Sequence, residues 1–285
     1  MDFMRGFMGE NKSSIKALVW NSLLWIIVFV VGMAFFTFYD LPIAKAIYRI
    51  DSAYARVFEI IGLITTPMAG IFFAISNFLT LRVARKRILS IILGWLALIV
   101  FVGFNLLSIG MLNSRWLGVF FLFDLLFIRF SMWANRYICS SAQVVELRKV
   151  MMVGLVAALV AVLGQTIIKY GFNRPRFITL TAPDTQFTYW FVRHPIAHDS
   201  SFPSGHAAQS ALSFMLVFLK KFLPRLRTPK WDIALWAVAI FITLSTMISR
   251  MLLGVHYATD VWAGCFLTLF TISLTNWYVE RTYKA

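Results

Sequence analysis

The stretch that decides the fold is Val150–Ile168, VMMVGLVAALVAVLGQTII, which contains no charged residue. A backbone inside hydrocarbon must satisfy its own N–H and C=O groups, so a run of about 20 apolar residues reads as a membrane-crossing helix. Working outward, comparable runs are Leu18–Phe38, Glu59–Leu79, Ile88–Gly110, Trp116–Trp133, Ala207–Leu219, Ile233–Ile248 and Ala258–Trp277. The expectation is an all-α fold, a polytopic membrane helical bundle of about eight transmembrane helices. Ala207–Leu219 is short for a crossing. Trp116–Trp133 carries Asp124 and Arg129, charges that hydrocarbon disfavours and that mark either function or a misplaced span.

Composition agrees with that reading. Of 285 residues, 60% are hydrophobic and only 14% charged. Such a chain is neither disordered nor a disulfide-stapled miniprotein. The net charge of +15 suggests nucleic acid at first sight. The basic residues, however, fall in short clusters between apolar runs, as membrane-edge residues do, so no nucleic-acid partner is expected. Cys139 and Cys265 form no metal or redox pattern. Lys12 and Lys16 precede the first run and Ala44-Lys45-Ala46 resembles a cleavage site, but the run exceeds a signal core and reads as a retained helix.

Every second connection is basic. Arg82, Arg85, Lys86 and Arg87 form one, Arg136, Arg148 and Lys149 another, Lys220, Lys221, Arg225, Arg227 and Lys230 a third, and Arg281 and Lys284 close the chain. Placing these in the cytoplasm puts both termini there, provided Trp116–Trp133 crosses. The opposite face then receives Asp40–Ala55, Tyr170–Ser204 and Arg250–Tyr257. No repeat or linker divides the chain, so 1–285 reads as one membrane domain with 1–148 as a possible addition to 149–285.

Three clusters on that opposite face carry chemistry. The first is Lys169-Tyr-Gly-Phe-Asn-Arg174-Pro175-Arg176-Phe177. The second is Pro203-Ser204-Gly205-His206, where Ser is a favoured helix cap, Gly admits close backbone approach, and a helix start attracts anions. His206 lies in that first turn, able to give or take a proton. The third runs from Ser249-Arg250 to His256 and Asp260. Residues four apart share a helix face, so Asp260 can hold one ring nitrogen of His256 and leave the other as nucleophile or base. Arg250 can grip phosphate oxygens with a planar fork. Taken singly, each cluster has an ordinary explanation: a capped helix, an ion pair in a loop, a snorkelling lysine. Together they describe a cationic anion site with a nucleophile and an acid. No zinc spacing or carboxylate cluster accompanies them, so no catalytic metal or other cofactor is expected.

The three clusters resemble the tripartite signature of the type 2 phosphatidic acid phosphatase (PAP2) superfamily: Lys-x6-Arg-Pro, Pro-Ser-Gly-His and Ser-Arg-x5-His-x3-Asp. The second and third motifs match at every specified position. The resemblance implies a helical PAP2-like core at 149–285 and metal-free phosphate hydrolysis through a phosphohistidine on His256. It also implies His206 as acid, Asp260 as the residue orienting His256, and Lys169, Arg176, Ser204, Gly205 and Arg250 as phosphate ligands. One departure stands out. Phe177 occupies the place of the motif proline, and the Arg-Pro pair lies two residues early at Arg174-Pro175. Seven residues make about two helical turns, which favours Arg176 as the ligand and leaves Arg174 in a supporting layer.

A site at the membrane face favours an amphiphilic substrate. Undecaprenyl diphosphate, phosphatidylglycerophosphate, phosphatidic acid and lipid A all fit, in a bacterial cytoplasmic membrane with the site on the outer face. Two alternatives remain at this level: a phosphotransferase passing the group between lipids, and a non-enzymatic lipid or anion binder or transporter. His194, His198 and Asp199 read as part of a solvated loop, and Phe187, Tyr189, Trp190 and Phe191 as residues that either lie on the interface or cover the site. The oligomeric state is not legible.

Overall fold

The computed structural model describes residues 15–82, 84, 86–111, 114–194 and 200–283. Those residues contain helices and no strand. The long helices are α1 (Ile15–Ile47), α2 (Ala53–Leu79), α3 (Arg87–Met111) and α4 (Ser114–Asn135). A near-continuous rod follows, α5 (Ser141–Leu159), a π-helical turn at Val160–Gly164 and α6 (Gln165–Phe172). After the short α7 (Pro183–Gln186) come α8 (Gly205–Ser210), a 3-10 segment at Ala211–Phe218 and α9 (Leu219–Phe222). Helices α10 (Pro229–Leu252) and α11 (Ala258–Thr282) complete the chain.

Among the described residues, five stretches are long and apolar enough to cross a membrane: Ser22–Ile47, Ala53–Arg82, Ser141–Thr179, Pro229–Leu252 and Ala258–Thr282. Of the eight runs read from the sequence, Arg87–Gly103 is apolar over a shorter length among the described residues. Ala207–Leu219 is apolar because it is the centre of the bundle. Ala207, Ala208, Ala211, Val217 and Phe218 are wholly buried. Helices α2, α10 and α11 surround it. Large apolar side chains also face outward, among them Phe38, Ile88, Ile167 and Ile233. A water-soluble bundle hides such faces, and a bilayer solvates them.

The helices share two ends. At one, Lys149 bridges Glu146 and Glu280 at 2.8 and 3.3 Å, and Lys221 meets Glu280 at 2.6 Å. Arg148 reaches the carbonyl of Lys86 and the hydroxyl of Ser90 at the start of α3. Asn135 at the end of α4 donates to Ser76 near the end of α2. Helices α3 and α4 therefore leave from and return to this basic end. The other end gathers the three motif clusters.

Asp40 does not lie in a connection, as the sequence reading had it. Helix α1 continues through Pro42 to Ile47 and buries Asp40 completely.

Candidate active site

Each motif side chain sits at a helix end. Helix α6 terminates at Phe172 because Asn173 adopts a left-handed conformation, φ 50°, and its N–H closes on the carbonyl of Lys169. Asn is one of the few residues that tolerates this, and Pro175 bars resumption of the helix. Arg176 is therefore not on the helix of Lys169, and the two-turn spacing argument does not apply. It reaches the site along the loop. Its charge acts on the His206 ring, as do the charges of Arg250 and Lys169.

Ser204 caps α8, accepting from the N–H of Ala207 at 3.3 Å. Its own N–H donates to the backbone carbonyl of Asp260 at 2.9 Å. That donor is thus spent on joining α8 to α11. The close approach is made possible by Gly264, where a Cβ would stand 2.2 Å from the Ser204 carbonyl oxygen. On the other side, a Cβ at Gly205 would meet the Gln165 amide at 3.2 Å.

His206 follows in the first turn, with Nε2 buried and lacking a hydrogen-bond partner among the described residues. Burial first, then the charge of Arg250, holds its pKa well below that of a free imidazole. His256 lies in the tight turn between α10 and α11, where Gly254 takes φ 66°. Burial pushes its pKa down to about 3, partly opposed by Asp260. Both rings are therefore neutral at pH 7 when no anion is present.

The tautomer of His256 is held differently from the expectation. Its Nδ1 lies 2.6 Å from the carbonyl of Ser201, a group that only accepts, so Nδ1 carries the proton and Nε2 the lone pair. Asp260 Oδ2 is 3.8 Å from Nδ1, within electrostatic reach but beyond a hydrogen bond. Asp260 instead takes the N–H of Tyr257 at 2.8 Å and Arg174 Nη1 at 2.7 Å.

Arg174 and Arg250 divide their roles. All three nitrogens of Arg174 are engaged: Nε with the Thr188 carbonyl, Nη1 with Thr259 and Asp260, Nη2 with Asp40. Its guanidinium also lies 3.9 Å from the Tyr257 ring centroid and 5.4 Å from that of Phe187. Arg250 Nη1 pairs with Glu59 at 2.7 Å, while its Nε is buried with no hydrogen-bond partner among the described residues. Lys169 Nζ has no ion-pair partner among the described residues. A cation and two buried, unpartnered ring or guanidinium nitrogens in one mutually charged cluster form a ready receptor for an anion.

Residues that the sequence reading missed are Asp40, Glu59 and the carbonyl of Ser201. A charged residue at the edge of an apolar run, just past Phe38 for Asp40 and at the start of Glu59–Leu79 for Glu59, was the available signal for the two acids. The long segment before Ser204 is not simply solvated. Trp190 donates to Thr37 of α1, Lys45 pairs with Asp184, and His194 Nε2 meets the Thr188 hydroxyl at 3.1 Å. Phe187 and Trp190 pack inward, against Tyr257 and Phe202, while Tyr189 and Phe191 are exposed. His198 and Asp199 lie outside the described residues. Also among the described residues, no group of three or more His, Cys, Asp or Glu is placed to hold a metal ion.

This helical end, with its two neutral imidazoles among cations, is that of a phosphoryl-handling membrane protein. Residues 149–284 match the PAP2 superfamily and form a domain of that superfamily. The chain is 37% identical over 91 residues to phosphatidylglycerophosphatase B of Bacillus subtilis (strain 168). That alignment covers 30% of this chain and 44% of the relative's length. No solved structure matches it.

Proposed function

We propose that the protein is a membrane-embedded phosphatase that hydrolyses the phosphate monoester or diphosphate of a lipid through a phosphohistidine on His256. The observation carrying this is the fixed Nδ1–H of His256, which presents a free Nε2 lone pair within the cationic cluster that also holds His206 and the Arg250 Nε. In the first step Nε2 bonds phosphorus, the bond from phosphorus to the leaving oxygen breaks, and His206 gives that oxygen its proton. In the second, His206 takes a proton from water, water oxygen bonds phosphorus, and the N–P electrons return to Nε2. Burial and the neighbouring cations favour neutral His206, and a bound phosphate favours its protonated form. Lys169, Arg176 and Arg250 neutralise the phosphoryl oxygens, and the backbone N–H groups of Gly205 and His206 at the start of α8 add to them.

The relative's name makes phosphatidylglycerophosphate the first substrate to try, ahead of undecaprenyl diphosphate, phosphatidic acid and lipid A. The chain crosses the membrane eight times in this reading. The return of α4 to the basic end supports that count. The 3-10 winding of Ala211–Phe218 supports it too, since a 2.0 Å rise lengthens Ala207–Phe222 to about 28 Å from about 24 Å, close to a bilayer core. The basic end then faces the cytoplasm with both termini, and the site faces outward.

The test is release of phosphate from that lipid panel by purified protein in chelator, with 32P-labelled donor and rapid quench. Label passing through phosphohistidine to free phosphate is expected. Label ending on an acceptor lipid, or undiminished turnover by His256→Ala, overturns the reading.

A further inference from the structure

Asp40, Arg174 and Asp260 are buried together, each with a side chain 0% exposed. Asp40 comes from α1, more than a hundred residues before the matched domain begins. Its Oδ1 accepts the N–H of Thr259, and its Oδ2 accepts the Thr259 hydroxyl and Arg174 Nη2. Asp260 accepts from Arg174 and from the N–H of Tyr257. Every one of these partners is a donor, so neither carboxylate needs to hold a proton to satisfy it. Two carboxylates and one guanidinium leave one negative charge over. Arg174 with Asp260 alone would leave none. The surplus matters because Asp260 is the acid beside His256, and that ring becomes a cation when Nε2 bonds phosphorus while Nδ1 keeps its proton.

We propose that Asp40 is a positioning residue for phosphoryl transfer: it draws part of the Arg174 charge to itself and pins the first turn of α11, so that Asp260 keeps a carboxylate charge to stabilise cationic His256. This rests on the reading of His256 as the nucleophile. It also makes α1 part of the catalytic apparatus rather than an addition to it. The N–H and hydroxyl of Thr259 tie Asp40 to the residue next to Asp260, so charge and position are set by one side chain.

The experiment follows phosphohistidine formation by rapid quench in the purified full chain, using labelled phosphatidylglycerophosphate. It compares wild type, Asp40→Asn, His256→Ala and the double variant Asp40→Asn with Arg174→Gln. The isosteric Asp40→Asn is expected to slow the burst by about 10- to 100-fold, the range typical of partners that orient an active group, with burst amplitude per folded molecule unchanged. The double variant removes a positive charge as well and restores the surplus, so its burst is expected within about 10-fold of wild type per folded molecule, a recovery of rate at constant amplitude that loss of a stabilising ion pair does not produce. A wild-type burst rate in Asp40→Asn overturns the proposal. So does a double variant whose burst, per folded molecule, is slower than that 10-fold bound. Formation of a phosphoenzyme in His256→Ala instead overturns the nucleophile assignment, and so separates that failure from the failure of the Asp40 role.

Discussion

His256 Nδ1 donates to the carbonyl of Ser201 at 2.6 Å, while Asp260, the residue four positions on, stands 3.8 Å away. A backbone carbonyl cannot be mutated away or change its role with pH. It fixes the tautomer of His256 independently of the acid, and Asp260 is left with an electrostatic task.

Asp260→Asn should consequently be a milder lesion than a lost tautomer. Where a carboxylate alone sets the tautomer, its amide costs about 10⁴-fold. Here a loss of about 10²-fold in kcat is expected, with KM nearly unchanged. His256→Ala should fall to background. Steady-state phosphate release from the two variants side by side checks the ranking, and equal loss in both would return the tautomer to Asp260.

The two loop arginines should separate in kind. Arg174→Ala strands the carboxylates of Asp40 and Asp260 in the interior, and breaking such a group costs about 3–5 kcal/mol. Arg176→Ala removes a half-buried charge from the site and is expected to lower kcat/KM by about 10²-fold while the melting midpoint in detergent stays within a few degrees. A stable, inactive Arg174→Ala beside an active Arg176→Ala would reverse the assignment.

How much of this was legible in the sequence follows from where each partner lies. Ser204, Gly205 and His206 are contiguous, and Arg250, His256 and Asp260 fall within one turn and its flanks, so their grouping shows locally. Asp40 and Thr259 are 219 positions apart, and Glu59 and Arg250 are 191 apart. Nothing local pairs them. The apolar run at Ala207–Leu219 has the composition of a lipid-facing helix because burial in protein and burial in lipid select the same side chains. The turn that ends α6 depends on the backbone of Asn173, and helical spacing could not carry Arg176 past it.

Acid should weaken the protein through its histidines. His256 titrates near pH 6.5 when unfolded and at about 3 when folded, so between those values the unfolded chain binds more protons. Stability from this group is therefore full above about pH 6.5 and declines as pH falls toward 3, by up to about 1.4 kcal/mol per pH unit. His206 acts with the same sign, since its folded pKa is also depressed. His256→Gln is expected to reduce the drop in melting midpoint between pH 7.5 and pH 5 relative to wild type. Identical slopes would mean that the ring is solvated in the folded protein.

The seam between α8 and α11 offers the sharpest steric prediction. A methyl group at position 264 would overlap the carbonyl oxygen of Ser204, at 2.2 Å, and approach the N–H of Ala208 at 3.3 Å. Those atoms are backbone, so no side chain can swing aside. The helices must part, and the bond from the Ser204 N–H to the Asp260 carbonyl lengthens with them. Because that bond sets His206 relative to His256, Gly264→Ala is expected to lose about 1–3 kcal/mol of stability, the usual cost of overpacking, and to lose more activity than the melting shift accounts for. Gly103→Ala is the matched control, since a Cβ there meets nothing within 4 Å. Thermal melting and phosphate release measured on both variants decide it. Wild-type turnover in Gly264→Ala would mean that the distance between the two imidazoles tolerates a shift of the whole helix.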